Sequence, residues 1–140
     1  MGIKEKAVRN YEEKKYNCCQ AVVCAYCEEY GMDDREIFKL AEAFGGGMGG
    51  LQDTCGAVTG AFMGIGMRNS AGDKSEPTAT KANTYADVKE VARKFEEKAG
   101  SLYCRDLKAL VNGVQPVSCK KCVEIGAELL EKYIEEHGWN

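Results

Sequence analysis

Residues 17–30 of the chain read NCCQAVVCAYCEEY, and this stretch predicts a helix with a defined start and a defined end. Asn17 is a favourable N-cap residue, and Gln20 three positions later completes a variant of the capping box. Gly31 follows directly, at a position where glycine commonly terminates a helix. We therefore expect a helix that begins after Asn17 and runs to about Tyr30.

Helical spacing of apolar residues continues on both sides of this stretch. It predicts further helices through Ile3–Tyr11, over about Asp34–Phe44, from Cys55 to about Met67, from Pro77 to about Ala99, from Ser101 through Val111, and over about Cys119–Glu136. Thr54, Ser101 and Ser118 are the expected caps, and a buried stripe of Tyr85, Val88, Val91, Ala92 and Phe95 is expected on the long fifth helix. No stretch has a convincing strand pattern. We expect an all-α fold, with residues 1–140 forming a single domain of six to seven helices.

The composition is that of a globular protein and excludes several functional classes. The 140 residues are 44% hydrophobic, with a net charge of −3 and interspersed charges, so no nucleic-acid surface is predicted. No apolar run reaches membrane-spanning length, and the charged start lacks the apolar core of a signal peptide. We expect a cytoplasmic protein that binds neither nucleic acid nor membrane. Eight cysteines and one histidine are then the unusual feature, because cytosolic cysteines in such number indicate metal binding or redox chemistry.

Four of the cysteines fall in the first turns of predicted helices: Cys18, Cys55, Cys104 and Cys119. The start of a helix carries unpaired N–H groups and about half a positive charge, which favours thiolate over thiol. Thiolates are metal ligands, and a site of four thiolates suits an iron–sulfur cluster or zinc. We therefore predict that these four cysteines converge on one anionic centre.

The other cysteines have weaker signals. Cys19, Cys24 and Cys27 lie inside the predicted second helix and are interpreted as core or spare thiols. Cys119 and Cys122 form a C-x-x-C pair at the start of a helix, which is typical of redox pairs with a low pKa. They are the candidate catalytic residues if the protein is an enzyme, which would then be an oxidoreductase. Cys122 is also an alternative to Cys119 as a ligand, and Cys19 is an alternative to Cys18.

The glycines form two patterns. Residues 45–50, GGGMGG, match G-x-G-x-x-G formally, but a helix rather than a strand precedes them, so nucleotide binding is not predicted. They indicate either a loop whose backbone passes close to another group or a flexible turn. Gly56, Gly60 and Gly64 recur along one face of the predicted fourth helix, which favours tight helix packing over direct contact with a cofactor. The candidates for backbone contact with a cofactor are Gly47, Gly49, Gly56 and Gly60.

The pattern resembles a known family of small helical proteins described as redox-active and named for the motif C_GCAxxG_C_C. The matching segments are Tyr16–Val22, Phe44–Gly49 leading to Cys55–Ala61, Phe95–Gly100 with Cys104–Leu107, and Cys119 with Val123. The resemblance implies four key cysteines, here Cys18, Cys55, Cys104 and Cys119. It also implies an anaerobic bacterial setting and a link to electron transfer, where iron–sulfur binding is the expected role. In the name-giving pattern glycine precedes the cysteine, whereas here Cys55 precedes Gly56.

Three functional hypotheses remain. The first is an iron–sulfur or other metal centre on the four cysteines, for electron transfer or redox sensing. The second is a metal-free thiol–disulfide oxidoreductase or sensor that uses Cys119 and Cys122. Structural zinc on the four cysteines is the third. We expect a redox partner protein, and a homodimer is left open.

Overall fold

The helix predicted from residues 17–30 is the central helix of the protein. A computed structural model describes residues 2–138, and in it α2 spans Cys18–Glu29 with every residue from 19 to 27 buried. The side chain of Asn17 accepts from the backbone N–H of Gln20, and the Gln20 side chain accepts from the N–H of Asn17, so the predicted capping box is present. A helix that is apolar on all sides has to be surrounded by other elements. Helices from both ends of the chain accordingly pack against it.

The remaining helices build an all-α bundle around α2, which confirms the predicted fold class. They are α1 (Ile3–Glu12), α3 (Arg35–Glu42), α4 (Gly56–Asn69), α5 (Lys81–Ala99), α6 (Cys104–Lys108) and α7 (Cys119–His137). Within residues 2–138, β-type pairing is limited to two isolated bridges, Thr54 with Tyr103 and Val111 with Val114. No helix of this described part has the length and apolar character needed to cross a membrane.

Glycines let α4 approach its two neighbours closely. A Cβ atom added at Gly60 would lie 2.9 Å from the carbonyl oxygen of Cys19 in α2. On α7, a Cβ at Gly126 would lie 2.5 Å from the carbonyl oxygen of Ala57 in α4. Real Cβ contacts are not this short, so both positions need glycine. The predicted glycine face of α4 is therefore a helix-packing surface.

The GGGMGG stretch is an ordered left-handed turn rather than a flexible loop. All residues from 46 to 50 have positive φ, including Met48 at 67°. Left-handed backbone costs roughly 1–2 kcal/mol for a residue with a Cβ, which explains why glycine fills the other four positions. The turn is held by its own carbonyls, since Gly46 accepts from the N–H of Gln52 at 3.1 Å and Gly47 from that of Asp53 at 2.9 Å.

Three predicted helix starts were wrong, because backbone hydrogen bonds outside the predicted caps set the starts. Cys55 itself is the N-cap of α4, and Thr54 makes no side-chain cap. Helix α5 begins at Lys81 instead of Pro77, since turn hydrogen bonds occupy residues 76–81. Helix α6 begins at Cys104 instead of following Ser101, because the N–H groups of Cys104 and Arg105 donate to carbonyls of residues 53 and 52.

The stripe predicted for α5 is partly buried. Val91 and Phe95 are in the core and Val88 packs against it, whereas Tyr85 is 57% exposed. In this part of α5 it is Asp87 that faces the bundle, where it accepts hydrogen bonds from Asn69 and Tyr133. Tyr85, two residues earlier, lies on the opposite side of the helix. The helix ends as predicted, with Gly100 in a left-handed conformation at φ 101°.

We predict that Gly126→Ala lowers the free energy of unfolding by about 1–3 kcal/mol, the usual cost of overpacking a filled core. The added methyl group would collide with the backbone of Ala57, which has no rotamer to change. Urea unfolding followed by circular dichroism measures the effect.

Gly66→Ala is the matched control, because Gly66 is also helical and a Cβ there meets no atom within 4 Å. It should leave stability unchanged or raise it by about 0.4–1 kcal/mol. Equal effects of the two substitutions would contradict the close approach of α4 and α7.

Candidate functional site

The four cysteines singled out from the sequence do lie at helix starts. Cys18, Cys104 and Cys119 are the first residues of α2, α6 and α7, and Cys55 is the N-cap of α4. Ser118 caps α7 as predicted, by accepting from the N–H of Lys121. Each thiol therefore sits beside backbone N–H groups that no helical carbonyl accepts.

These four helix starts meet at one cavity of about 170 Å³. A fifth cysteine, Cys122, also lines it from the second turn of α7. The complete lining is Tyr11, Asn17, Cys18, Gly46, Gly47, Cys55, Gly56, Cys104, Leu107, Lys108, Gln115, Cys119 and Cys122. All eight cysteines are free thiols. Among residues 2–138, no three Cys, His, Asp or Glu side chains are grouped closely enough to hold a single metal ion, so the thiols are spread over the cavity wall.

The first pair of thiols joins α2 to α7. A hydrogen bond with the Cys18 thiol lowers the pKa of Cys119 to about 5, against the opposing effect of burial. The Gln115 amide, the Lys108 ammonium and the Tyr11 hydroxyl lower it further. The same hydrogen bond, together with burial, raises the pKa of Cys18. In this pair Cys119 is the thiolate and Cys18 is the proton donor.

The second pair joins α4 to α7. A hydrogen bond with the Cys122 thiol lowers the pKa of Cys55, and the backbone N–H groups of Ala57 and Val58 add to this. The pKa of Cys122 is raised by the same hydrogen bond. The N–H groups of the first turn of α4 thus stabilise a Cys55 thiolate, which is the effect predicted for a cysteine at a helix start.

Cys104 lies beside Lys108 on α6 and has no thiol partner of this kind. Burial raises its pKa, and the charge of Lys108 acts in the opposite direction. Lys108 is four residues after Cys104, so the two side chains lie on one face of the short helix. The same ammonium also lowers the pKa values of Cys18 and Cys119, and it is therefore the positive charge shared by the thiols of the cavity.

Six lining residues were not predicted as part of the site, and three of them, Lys108, Tyr11 and Gln115, act on the Cys119 thiol. The sequence could have indicated Lys108, because it lies one helical turn after the candidate ligand Cys104. Tyr11 was assigned to the core face of α1, and its pKa is raised to about 12 by burial and by the neighbouring thiolates. Gln115 lies in the segment before α7, where its amide nitrogen is 4.0 Å from Cys119 Sγ, and no sequence pattern indicates this contact.

Of the four glycines predicted to contact a cofactor, two line the cavity and two do not. Gly47 is buried, and a Cβ there would lie 2.6 Å from the Cβ of Cys104. Gly56 is also buried beside Cys18. Gly49 is exposed on the outside of the left-handed turn, and Gly60 packs against α2, so neither of these two lines the cavity.

The remaining cysteines lie away from the cavity, in the core. Cys19, Cys24 and Cys27 are fully buried, and burial raises their pKa values to about 11, 12 and 11. Cys19 Sγ lies 3.7 Å from the thioether sulfur of Met63. Thiols in such apolar surroundings stay protonated near neutral pH, which agrees with the interpretation of these three as core residues.

Comparison with known proteins gives a family match over most of the chain. Residues 16–133 match the sequence profile of the family described as "Putative redox-active protein (C_GCAxxG_C_C)". The chain is also 29% identical over 136 residues to an "Uncharacterized protein" of Archaeoglobus fulgidus, with 91% of this chain and 90% of that protein covered. No solved structure matches the chain.

We predict that in metal-free protein Cys119 stays deprotonated at pH values at which an ordinary cysteine is protonated. Between about pH 5, the folded value, and about pH 8.5, that of an unfolded cysteine, Cys119 is deprotonated only in the folded protein. Thiolate absorbance in the ultraviolet, followed in a pH titration, measures this.

Cys119→Ser should remove this absorbance, and Cys18→Ala should move its midpoint to higher pH because the hydrogen-bond donor is lost. Cys27→Ser is the control and should change neither the thiolate absorbance nor the midpoint of its titration. A titration of Cys119 at an ordinary cysteine pKa would contradict the pairing of α2 with α7.

Proposed function

Because the chain belongs to the C_GCAxxG_C_C family, which is described as redox-active, we propose that it holds an iron–sulfur cluster on Cys18, Cys55, Cys104 and Cys119. Its function would be electron transfer or redox sensing. The observation that carries the proposal is the shared cavity, in which cysteines from four helix starts, far apart in sequence, line one space.

The donor set fits the chemistry of such a cluster. Thiolate sulfur is the usual protein ligand of iron–sulfur clusters. A cluster with four thiolates is negatively charged, so nearby positive charge and N–H groups stabilise it and adjust its potential. Lys108 supplies the charge, and the first turns of α2, α4 and α7 supply the N–H groups.

The size of the cavity favours a group of several atoms. Its volume of about 170 Å³ exceeds by several-fold the roughly 30 Å³ that one water molecule occupies in the liquid. Four thiolates around one zinc ion, with Zn–S bonds of about 2.3 Å, would enclose no comparable space. Structural zinc on the four cysteines is therefore the weaker candidate.

The cluster would supply one-electron chemistry, and the protein residues would control its surroundings. Cys119 and Cys55 already favour the thiolate state, whereas Cys18 and Cys104 have raised pKa values and would release their protons on binding iron. Gly47 and Gly56 have no side chain to fill the cavity, and Leu107 gives it an apolar wall. Such a wall limits the access of water, which is one determinant of cluster potential.

A metal-free thiol–disulfide activity is the second candidate, and the low pKa of Cys119 favours it. The C-x-x-C motif suggested Cys122 as its partner, but the thiol that most lowers the pKa of Cys119 is that of Cys18, across the gap between two helices. Oxidation of the two thiols would form one disulfide and pass two electrons and two protons to a disulfide substrate, which becomes two thiols.

We predict that protein purified without oxygen is brown and contains iron and acid-labile sulfide in equal amounts. Single serine substitutions at Cys18, Cys55, Cys104 and Cys119 should each abolish or strongly reduce both, because each removes one of the four proposed thiolate ligands. Visible absorption with iron, sulfide and zinc analysis measures this.

Cys27→Ser, a buried thiol outside the cavity, is the control and should leave the iron content unchanged. Cys122→Ser tests whether the fifth thiol is needed. Colourless, metal-free wild-type protein that forms a Cys18–Cys119 disulfide would support the second candidate, and colourless protein with one zinc per chain would support the third.

A further inference from the structure

Exposed apolar side chains are concentrated in two segments that contain or directly follow residues lining the cysteine cavity. Among residues 2–138, two short segments, 48–51 and 103–114, hold most of the large hydrophobic residues that are open to solvent. They are Met48, Leu51, Tyr103, Leu110, Val111 and Val114. Leu51 is 78% exposed and Leu110 69%, which is unusual for leucine in a folded domain.

Residues 52 and 53, which directly follow the first segment, connect it to the second segment by hydrogen bonds, and both segments adjoin the cavity. The N–H of Cys104 donates to the carbonyl of Asp53 at 2.7 Å, and that of Arg105 to Gln52 at 3.0 Å. The first segment directly follows the cavity-lining residues Gly46 and Gly47. The second contains Cys104, Leu107 and Lys108 and ends just before Gln115, all of which line the cavity. We call residues 48–51 and 103–114 together the mouth surface.

A rigid turn presents part of the mouth surface to solvent. Val111 and Val114 exchange backbone hydrogen bonds of 2.8 and 3.0 Å, and between them Asn112 and Gly113 both have positive φ. This is the conformation of a tight two-residue hairpin turn. Because the turn holds the exposed Val111 and Val114 in place, little backbone entropy would be lost when another protein covers them.

The charges around the mouth surface are opposite in sign to those of the whole protein. Within residues 103–114 there are two basic residues, Arg105 and Lys108, and one acidic residue, Asp106. Lys120 and Lys121 follow in the chain, but they pair with Glu12 and Glu124. The whole chain has a net charge of −3, so the remainder is acidic. The Arg105 guanidinium lies over the Tyr103 ring, 4.6 Å from its centre, which joins the basic and apolar parts of the surface.

We infer that the mouth surface is the docking site for an acidic electron-transfer protein whose cofactor lies near an apolar patch. The inference rests on the proposed function, since the partner would exchange one electron with the centre in the cavity. Electrostatic complementarity of this kind speeds association and orients the partner. A second copy of the chain is the poorer occupant, because a two-fold symmetric contact would bring the same basic residues together.

The test is a binding measurement, which does not require a working redox centre. An acidic flavodoxin is titrated into the protein by isothermal titration calorimetry, with basic cytochrome c as the matched probe. Flavodoxin should bind and cytochrome c should not. Binding should weaken as the salt concentration rises from about 0.01 M to about 0.15 M, since the Debye length falls from about 30 Å to about 8 Å.

Two substitutions on the mouth surface have matched controls elsewhere. Arg105→Glu should weaken flavodoxin binding about tenfold at low salt, and Leu110→Ser should also weaken it. Arg35→Glu and Leu40→Ser, at exposed positions of α3, should change it less than twofold. Circular dichroism checks that all four variants are folded.

Three results would overturn the inference: no binding of flavodoxin, equal binding of cytochrome c, or equal losses in the mouth and control variants. Self-association of the protein that Leu110→Ser abolishes, detected by sedimentation, would assign the surface to a second copy instead. Repeating the titration with Cys18→Ser separates the two proposals. If this variant loses its iron but still binds flavodoxin, the docking surface does not depend on the cluster. If a mouth-surface variant loses flavodoxin binding but keeps its iron, the cluster does not depend on the docking surface.

Discussion

The close approach of α4 to α2 and α7 is the contact on which the rest of the structure depends. Gly60 faces the backbone of α2, and Gly126 of α7 faces the backbone of α4. A side chain at either position would push the helices apart and separate their N-terminal ends. Since Cys18, Cys55 and Cys119 lie at those ends, the packing of the bundle and the assembly of the cavity have the same cause.

The chemistry of the cavity follows from where its thiols are held. Five thiols at one place would all be protonated if burial alone acted on them. Here the first-turn N–H groups, Lys108 and the hydrogen bonds between thiols divide them into thiolates and proton donors. A pocket with thiolates, a cation and apolar walls suits both candidate redox functions. Its volume favours the one that includes a multi-atom centre.

Features determined by local interactions were the ones that sequence could predict. Asn17 and Ser118 cap their helices through side chains that need only the following turn, and the helix-start positions of Cys18 and Cys119 follow from these caps. Features that depend on distant segments were missed. The start of α6 is set by carbonyls of residues 52 and 53, and Gln115 reaches Cys119 only because its segment folds over the cavity. Gly56 and Gly60 lie in the same glycine repeat of the sequence, which does not distinguish them. In the structure Gly56 lines the cavity whereas Gly60 packs against α2.

The most direct test of the central claim is X-ray absorption at the iron edge of protein purified without oxygen. The account predicts that the iron has sulfur as its only nearest neighbours and a second iron atom beyond them. Those signals should disappear from Cys18→Ser but persist in Cys27→Ser. Iron bound to nitrogen or oxygen, or a preparation that holds no iron, would contradict the claim that four helix starts hold one cluster.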